Sequence, residues 1–199
     1  MTVKLVGSTS GSVSLQAPAT TTGGAHRVLT LPDADGTVAV GDTGKILQVV
    51  QTVKSDAFSH TNLAKNTQTA TVLSQTITPQ SSSNKILVMV DLTVGCSADV
   101  GVYLNLYRGS TQICRGDANG SQQRISSFAA TRNADSHGYC SIRFLDSPTT
   151  TSATTYGVKL SNAAYSSASV YLNRVHNDTS SDSQLARGTS IITLMEVAA

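Results

Sequence analysis

Side chains able to do acid–base, nucleophilic or metal chemistry are few in this sequence, and they stand apart. Glu196 is the sole glutamate, close to the last residues. The aspartates lie mostly at turn signals such as Pro32-Asp33, Asp35-Gly36 and Gly41-Asp42, where the side chain bends and caps the backbone. Hydrolysis of a glycosidic bond needs two carboxylates facing one cleft, and no two acidic residues here occupy neighbouring strand positions around one. His26, His60, His137 and His176 fall singly, without the HxH or HxxxH spacing of a zinc site. Cys96, Cys114 and Cys140 include no CxxC pair and read as small apolar residues buried in strands. A Cys96–Cys114 bridge is the alternative, which a reducing cytoplasm disfavours.

Two short motifs look like catalytic loops and fail on position. In Gly41-Asp42-Thr43-Gly44-Lys45 the first glycine of a phosphate loop would fall at Ala39. Ile46 stands where a magnesium-binding hydroxyl is needed, and a strand follows instead of a helix. Gly7-Ser8-Thr9-Ser10-Gly11 has the outer glycines of a nucleophile elbow but Thr9 at its centre. Arg115-Gly116-Asp117 is an RGD tripeptide between strands, a common coincidence. The sequence therefore reads as a non-enzyme, with no cofactor and no metal, whose work is binding or assembly.

The elements that must position anything else are strands. Charged residues make up only 13% of the 199, with hydrophobic residues at 39%, and Ser, Thr, Asn and Gly fill the difference. A net charge of +2 gives no electrostatic reason for nucleic acid or an anionic membrane. No apolar run approaches the 18 or so residues of a helical span. From residue 45 onward short alternating runs are separated by Gly/Ser/Asn/Asp/Pro clusters. Strands are predicted at Lys45–Lys54, Thr69–Thr78, Lys85–Val94, Val100–Arg108, Thr111–Arg115, Arg124–Ala130, Gly138–Leu145, Thr154–Ser161, Ser169–Val175 and Thr189–Val197, with Ser55–Gln68 a polar loop. Ile86, Val88, Val90, Leu92 and Val94 share one face, which places their strand in the middle of a sheet. The pattern predicts an antiparallel β-sandwich, jelly-roll-like, of eight to ten strands over residues 45–199.

Residues 1–44 differ. Val13 and Leu15, Leu29 and Leu31, and Val38 and Val40 form three short alternations, separated by Ala17-Pro18, Gly23-Gly24 and Asp35-Gly36, and Val3 and Leu5 mark a leading strand. So few apolar side chains do not offset the entropy of ordering such a segment alone. The segment must therefore be disordered, lie on another domain or share its core with other copies of the chain, and the last suits regularly spaced short strands. Here the run VSLQAP, followed by a Gly-rich gap and RVLTLPDADGTVAV, resembles a motif of bacteriophage tail-fibre and related appendage proteins, over about 30 residues. The resemblance implies an extended N-terminal β arm that precedes a globular head. Lys85–Val94 and Thr189–Val197, apolar on both faces, resemble in pattern the trimeric jelly rolls of the tumour-necrosis-factor and complement-globular-head type.

Together these give an expectation of a homotrimeric, non-enzymatic phage virion protein. It would be made in the host cytoplasm, since MTVKLVGSTSG lacks a signal-peptide core. Its arm, with Val13, Leu15, Leu29, Leu31, Val38 and Val40, would trimerise and dock on tail or capsid proteins. Its head would offer polar loops to a host-surface glycan or protein. The candidate receptor loops are Asn162–Ser167, with Asn162 and Tyr165; Thr131–His137, with Asn133, Asp135 and His137; and Asn177–Arg187. Tyr103 and Tyr107 are expected to pack between subunits. The alternative is a capsid decoration or head-fibre protein that clamps the shell.

Overall fold

A computed structural model describes residues 2–6, 12–16, 45–164, 166–182 and 185–199. The chain divides into two units, Met1–Val40 and Gly41–Ala199.

In the first unit, β1 (Thr2–Val6) pairs antiparallel with β2 (Ser12–Gln16). Val3 lies opposite Leu15 and Leu5 opposite Val13, so both alternations read from the sequence meet in one ladder. The expected strands at Leu29–Leu31 and Val38–Val40 lie outside the described residues.

The second unit is an antiparallel β-sandwich, with no helix among the described residues. One sheet holds β3 (Ile46–Lys54), β4 (Phe58–Leu63), β6 (Lys85–Cys96), β10 (Gly138–Asp146), β12 (Ala168–Leu172) and β13 (Ser190–Val197). The other holds β5 (Leu73–Ile77), β7 (Val102–Arg108), β8 (Thr111–Ile113), β9 (Ser127–Ala129) and β11 (Thr154–Asn162). The chain crosses repeatedly between the sheets, so nearly every pairing is distant in sequence.

Strand β6 organises the first sheet. β10 pairs along one edge of it, from Ile86 to Val94. The other edge takes β13 over Lys85–Asp91 and then β12 over Val94–Cys96. Its even-numbered residues Ile86, Val88, Val90, Leu92 and Val94 are all fully buried, as the alternation predicts. They pack with Ile192 and Leu194 of β13 against Leu104 and Leu106 of β7 and Val158 and Leu160 of β11.

The polar stretch Ser55–Gln68 was expected as a loop, and it contains β4. This strand is at the sheet edge and buries only Leu63, so it shows no apolar alternation and is held by its ladder to β12. Cys96, Cys114 and Cys140 are free thiols. Burial raises the Cys140 thiol to about 12, with the Asp91 charge adding to it. Among the described residues no helix is long and apolar enough to cross a membrane.

Candidate functional site

One end of the sandwich collects most of the long polar loops. β6 ends and β7 begins there, β10 starts opposite Val94, and β11 ends at Asn162 opposite Val102. Backbone and side-chain bonds tie these loops together. Thr131 Oγ1 donates to the Ala98 carbonyl at 3.2 Å, and the Ala163 amide donates to the Gly101 carbonyl at 3.2 Å. The segment after β12 turns at Asn173, whose φ is +62°, and crosses to the loop before β10, where the His176 amide reaches the Ala134 carbonyl at 2.9 Å. This crossing runs over Gly95 so closely that a Cβ there would stand 2.4 Å from the Arg174 carbonyl oxygen.

The structure thus joins two of the three candidate loops. Asn177 Nδ2 donates to Asp135 Oδ1 at 2.7 Å, and His137 Nε2 donates to the Ala186 carbonyl at 2.8 Å. Asn133 Oδ1 accepts the Asp135 amide at 3.0 Å, closing its own turn. Arg187 Nη2 and Arg174 Nε lie 2.6 and 3.3 Å from Asp178 Oδ2. The hydrogen bond from Arg187 holds the Asp178 carboxyl below the usual range, against the opposing effect of burial. Asn133, Asp135 and His137 remain exposed, but part of their bonding capacity is spent on shaping the loops.

Asn162 requires a correction. It is fully buried, donating from Nδ2 to the Leu63 carbonyl at 2.6 Å and accepting the Ala164 amide on Oδ1 at 3.0 Å. As the last residue of β11 it fastens β4 to the β11–β12 loop, and no ligand can reach it. Tyr165 lies outside the described residues. Tyr103 and Tyr107, expected between subunits, have partners within the chain. Tyr103 meets Phe128 in a tilted ring contact at 5.6 Å, whereas Tyr107 lies beneath Lys159 Nζ at 4.5 Å and donates its hydroxyl to Gln68 Oε1 at 2.7 Å.

Sequence reasoning found no carboxylate pair, yet the structure forms one at the other end. Asp146 and Glu196 flank Ile86 on the inner face, each opposite it in the ladder, so their Cα atoms stand about 10 Å apart. Nothing between residues 146 and 196 signals this. Their surroundings make them structural. Glu196, fully buried, accepts from the Gln80 amide and Asn84 Nδ2 on Oε1, both at 2.7 Å, and from Gln48 Nε2 on Oε2. Burial alone would raise its pKa, but the bonds from Asn84, Gln48 and the Gln80 and Ser81 amides outweigh it and leave it lowered. Asp146 accepts from Arg108 Nη1 at 2.8 Å and from the Tyr156 hydroxyl at 2.6 Å. Burial and that bond push the Tyr156 phenol far up. A hydrolase needs both carboxyls open to a substrate and room between them. Here both carboxylates are taken up by hydrogen bonds from the chain, and the fully buried Ile86 stands between them in the ladder. Among the described residues no group of His, Cys, Asp or Glu could hold a metal ion.

The outer face of the first sheet is the second conspicuous feature. Leu145, Leu87, Met195 and Val49 lie side by side across four strands. Two residues along, Arg143, Met89, Thr193 and Gln51 form the next row, and then Ser141, Asp91, Ile191 and Val53. Val49, Val53 and Leu145 are 53%, 54% and 48% exposed, and Ile46 extends the patch at 54%.

No protein-family model matches the sequence, and no curated protein matches it. Among solved structures it is similar to the crystal structure of the infectious bursal disease virus VP2 subviral particle, with 11% identity over 86% of this chain and a TM-score of 0.40. Structures of the Gt and Gx strains of that virus give 11% and 13% identity over 98% of this chain, each with a TM-score of 0.41. The chain spans 46% of the length of each of those chains.

Proposed function

We propose that this chain is a non-enzymatic structural protein of a bacteriophage virion. In this reading it is a homotrimer. Residues 1–44 attach it to tail or capsid proteins, and the sandwich presents its loop end to a glycan or protein on the host surface.

The observation that carries the reading is the apolar outer face of the six-stranded sheet. Antiparallel sheets of single domains normally turn a polar face to water. Here seven of the twelve side chains are apolar, the first row entirely so, with Met89, Ile191 and Val53 beyond it, and the charged groups across the three rows are Arg143 and Asp91. Four strands about 4.8 Å apart and some six residues deep make a face on the order of 400 Å² in all, its apolar and polar side chains together. The nearly uncharged surface suits a second copy of itself, because burying it strands little charge. The arm favours the same arrangement, since its short alternations also need partners. Three weak loop sites on one rigid body then gain by avidity, on the order of 10²–10⁴ over one site.

The test substitutes charge into the face. Val49→Asp and Val53→Asp together should convert residues 45–199 to monomers while leaving their β circular dichroism intact. Gold-labelled antibody on purified particles should mark a surface appendage. Label spread evenly over the capsid shell would instead identify a decoration protein, and no label on particles would end the virion reading.

A further inference from the structure

We infer that an open cleft on the second sheet, at the loop end, is a carbohydrate-binding site for a single pyranose unit. This deepens the proposed function by locating where the head meets a host-surface glycan.

The cleft has a volume of about 400 Å³, within the range of small-molecule sites. Tyr103, Asn66, Gln122, Gln123 and Ala163 are among the residues that line it. These come from β7 and from the loops after β4, β8 and β11, so four segments converge on it. The Tyr103 ring is braced at 5.6 Å by Phe128. A braced aromatic ring offers a flat apolar surface, which matches the C–H face of a pyranose. Side-chain amides offer paired donors and acceptors, which match adjacent sugar hydroxyls.

The distribution of bonds separates this site from the loop cluster around Asp135. There Asn133, Asp135, His137 and Asn177 are committed to one another and to the backbone. In the cleft, the amides of Asn66 and Gln123 and the hydroxyl of Tyr103 have no protein hydrogen-bond partner among the described residues. Their capacity is available to a ligand. No carboxylate lines the cleft, so it has no group to cleave what it holds.

The experiment is a titration of the full ¹⁵N-labelled chain, followed by TROSY spectra, with N-acetylglucosamine, galactose, rhamnose and glucuronic acid in turn. At least one sugar should shift the amide signals of Asn66, Tyr103, Gln123 and Ala163 and leave those of Asn133–His137 unmoved. Tyr103→Leu, which keeps an apolar contact for Phe128, should weaken binding at least tenfold. Asn66→Gly, which suits the φ of +61° at that position, should weaken it several-fold without unfolding. Silence with all four sugars, shifts centred elsewhere, or unchanged affinity in both variants would overturn the assignment. Native mass and particle labelling are read independently, so a silent cleft on a trimeric, particle-bound protein would remove this inference alone.

Discussion

Replacing Glu196 by Gln tests how the terminal strand is held. The carboxylate receives three donors, the Gln80 amide and the side-chain amides of Asn84 and Gln48, and the residue is fully buried. A glutamine turns one acceptor oxygen into a donor. Pointed at Oε1's partners, its NH₂ meets two donors; pointed at Gln48, it forces that amide to flip and give up its bond to the Thr78 carbonyl. Either way at least one charge-assisted bond is lost, at a cost of about 2–4 kcal/mol. For a chain of this length that lowers the melting temperature by roughly 5–15 °C. The pH dependence adds a sign. Glu196 ionises at lower pH in the folded chain than in the unfolded one. Its contribution is therefore complete above the free carboxylate value of about 4.3 and is lost as pH falls through the folded value. Urea titrations of wild type and Glu196→Gln should show a gap at pH 7 that narrows in acid. Equal stability at pH 7, or a gap that does not change with pH, would show that the terminal strand does not depend on an ionised Glu196.

Other outcomes follow from single contacts. Gly95→Ala places a Cβ 2.4 Å from the Arg174 carbonyl oxygen and 3.0 Å from Val175 Cα; it should cost about 1–3 kcal/mol and raise hydrogen exchange in residues 174–178. Asn173→Ala removes the bonds from Nδ2 to the Lys54 and Asp56 carbonyls and from Ser190 Oγ to Oδ1, at a φ of +62°. It should destabilise by about 2–4 kcal/mol in urea titration. Burial raises all three thiols, that of Cys140 to about 12, so mass spectrometry after brief alkylation near pH 8 should find partly exposed Cys114 modified well before Cys96 and Cys140.

What the sequence made legible was what burial imprints locally. The Lys85–Val94 alternation identified the central strand because every second residue must face the core. Strand β4 was invisible because an edge strand needs its backbone ladder to β12 and buries almost nothing. Asn162 read as loop-forming because Asn favours turns, and only its bond to Leu63, 99 residues away, shows that it is structural. The anchors of Glu196, Gln48 and Asn84, lie 148 and 112 residues from it in sequence. The cleft around Tyr103 depends on loops brought together by the same long-range pairings, so its amides carried no local signal.

In the proposed trimer the outer face of the six-stranded sheet, together with the arm, joins copies of the chain. Native mass spectrometry of the full chain and of residues 45–199 measures this directly. The full chain should weigh about 62 kDa, three times its 20.7 kDa, and the head should be a trimer as well. A single species at 20.7 kDa for the full chain, with the head also monomeric, would contradict the trimer.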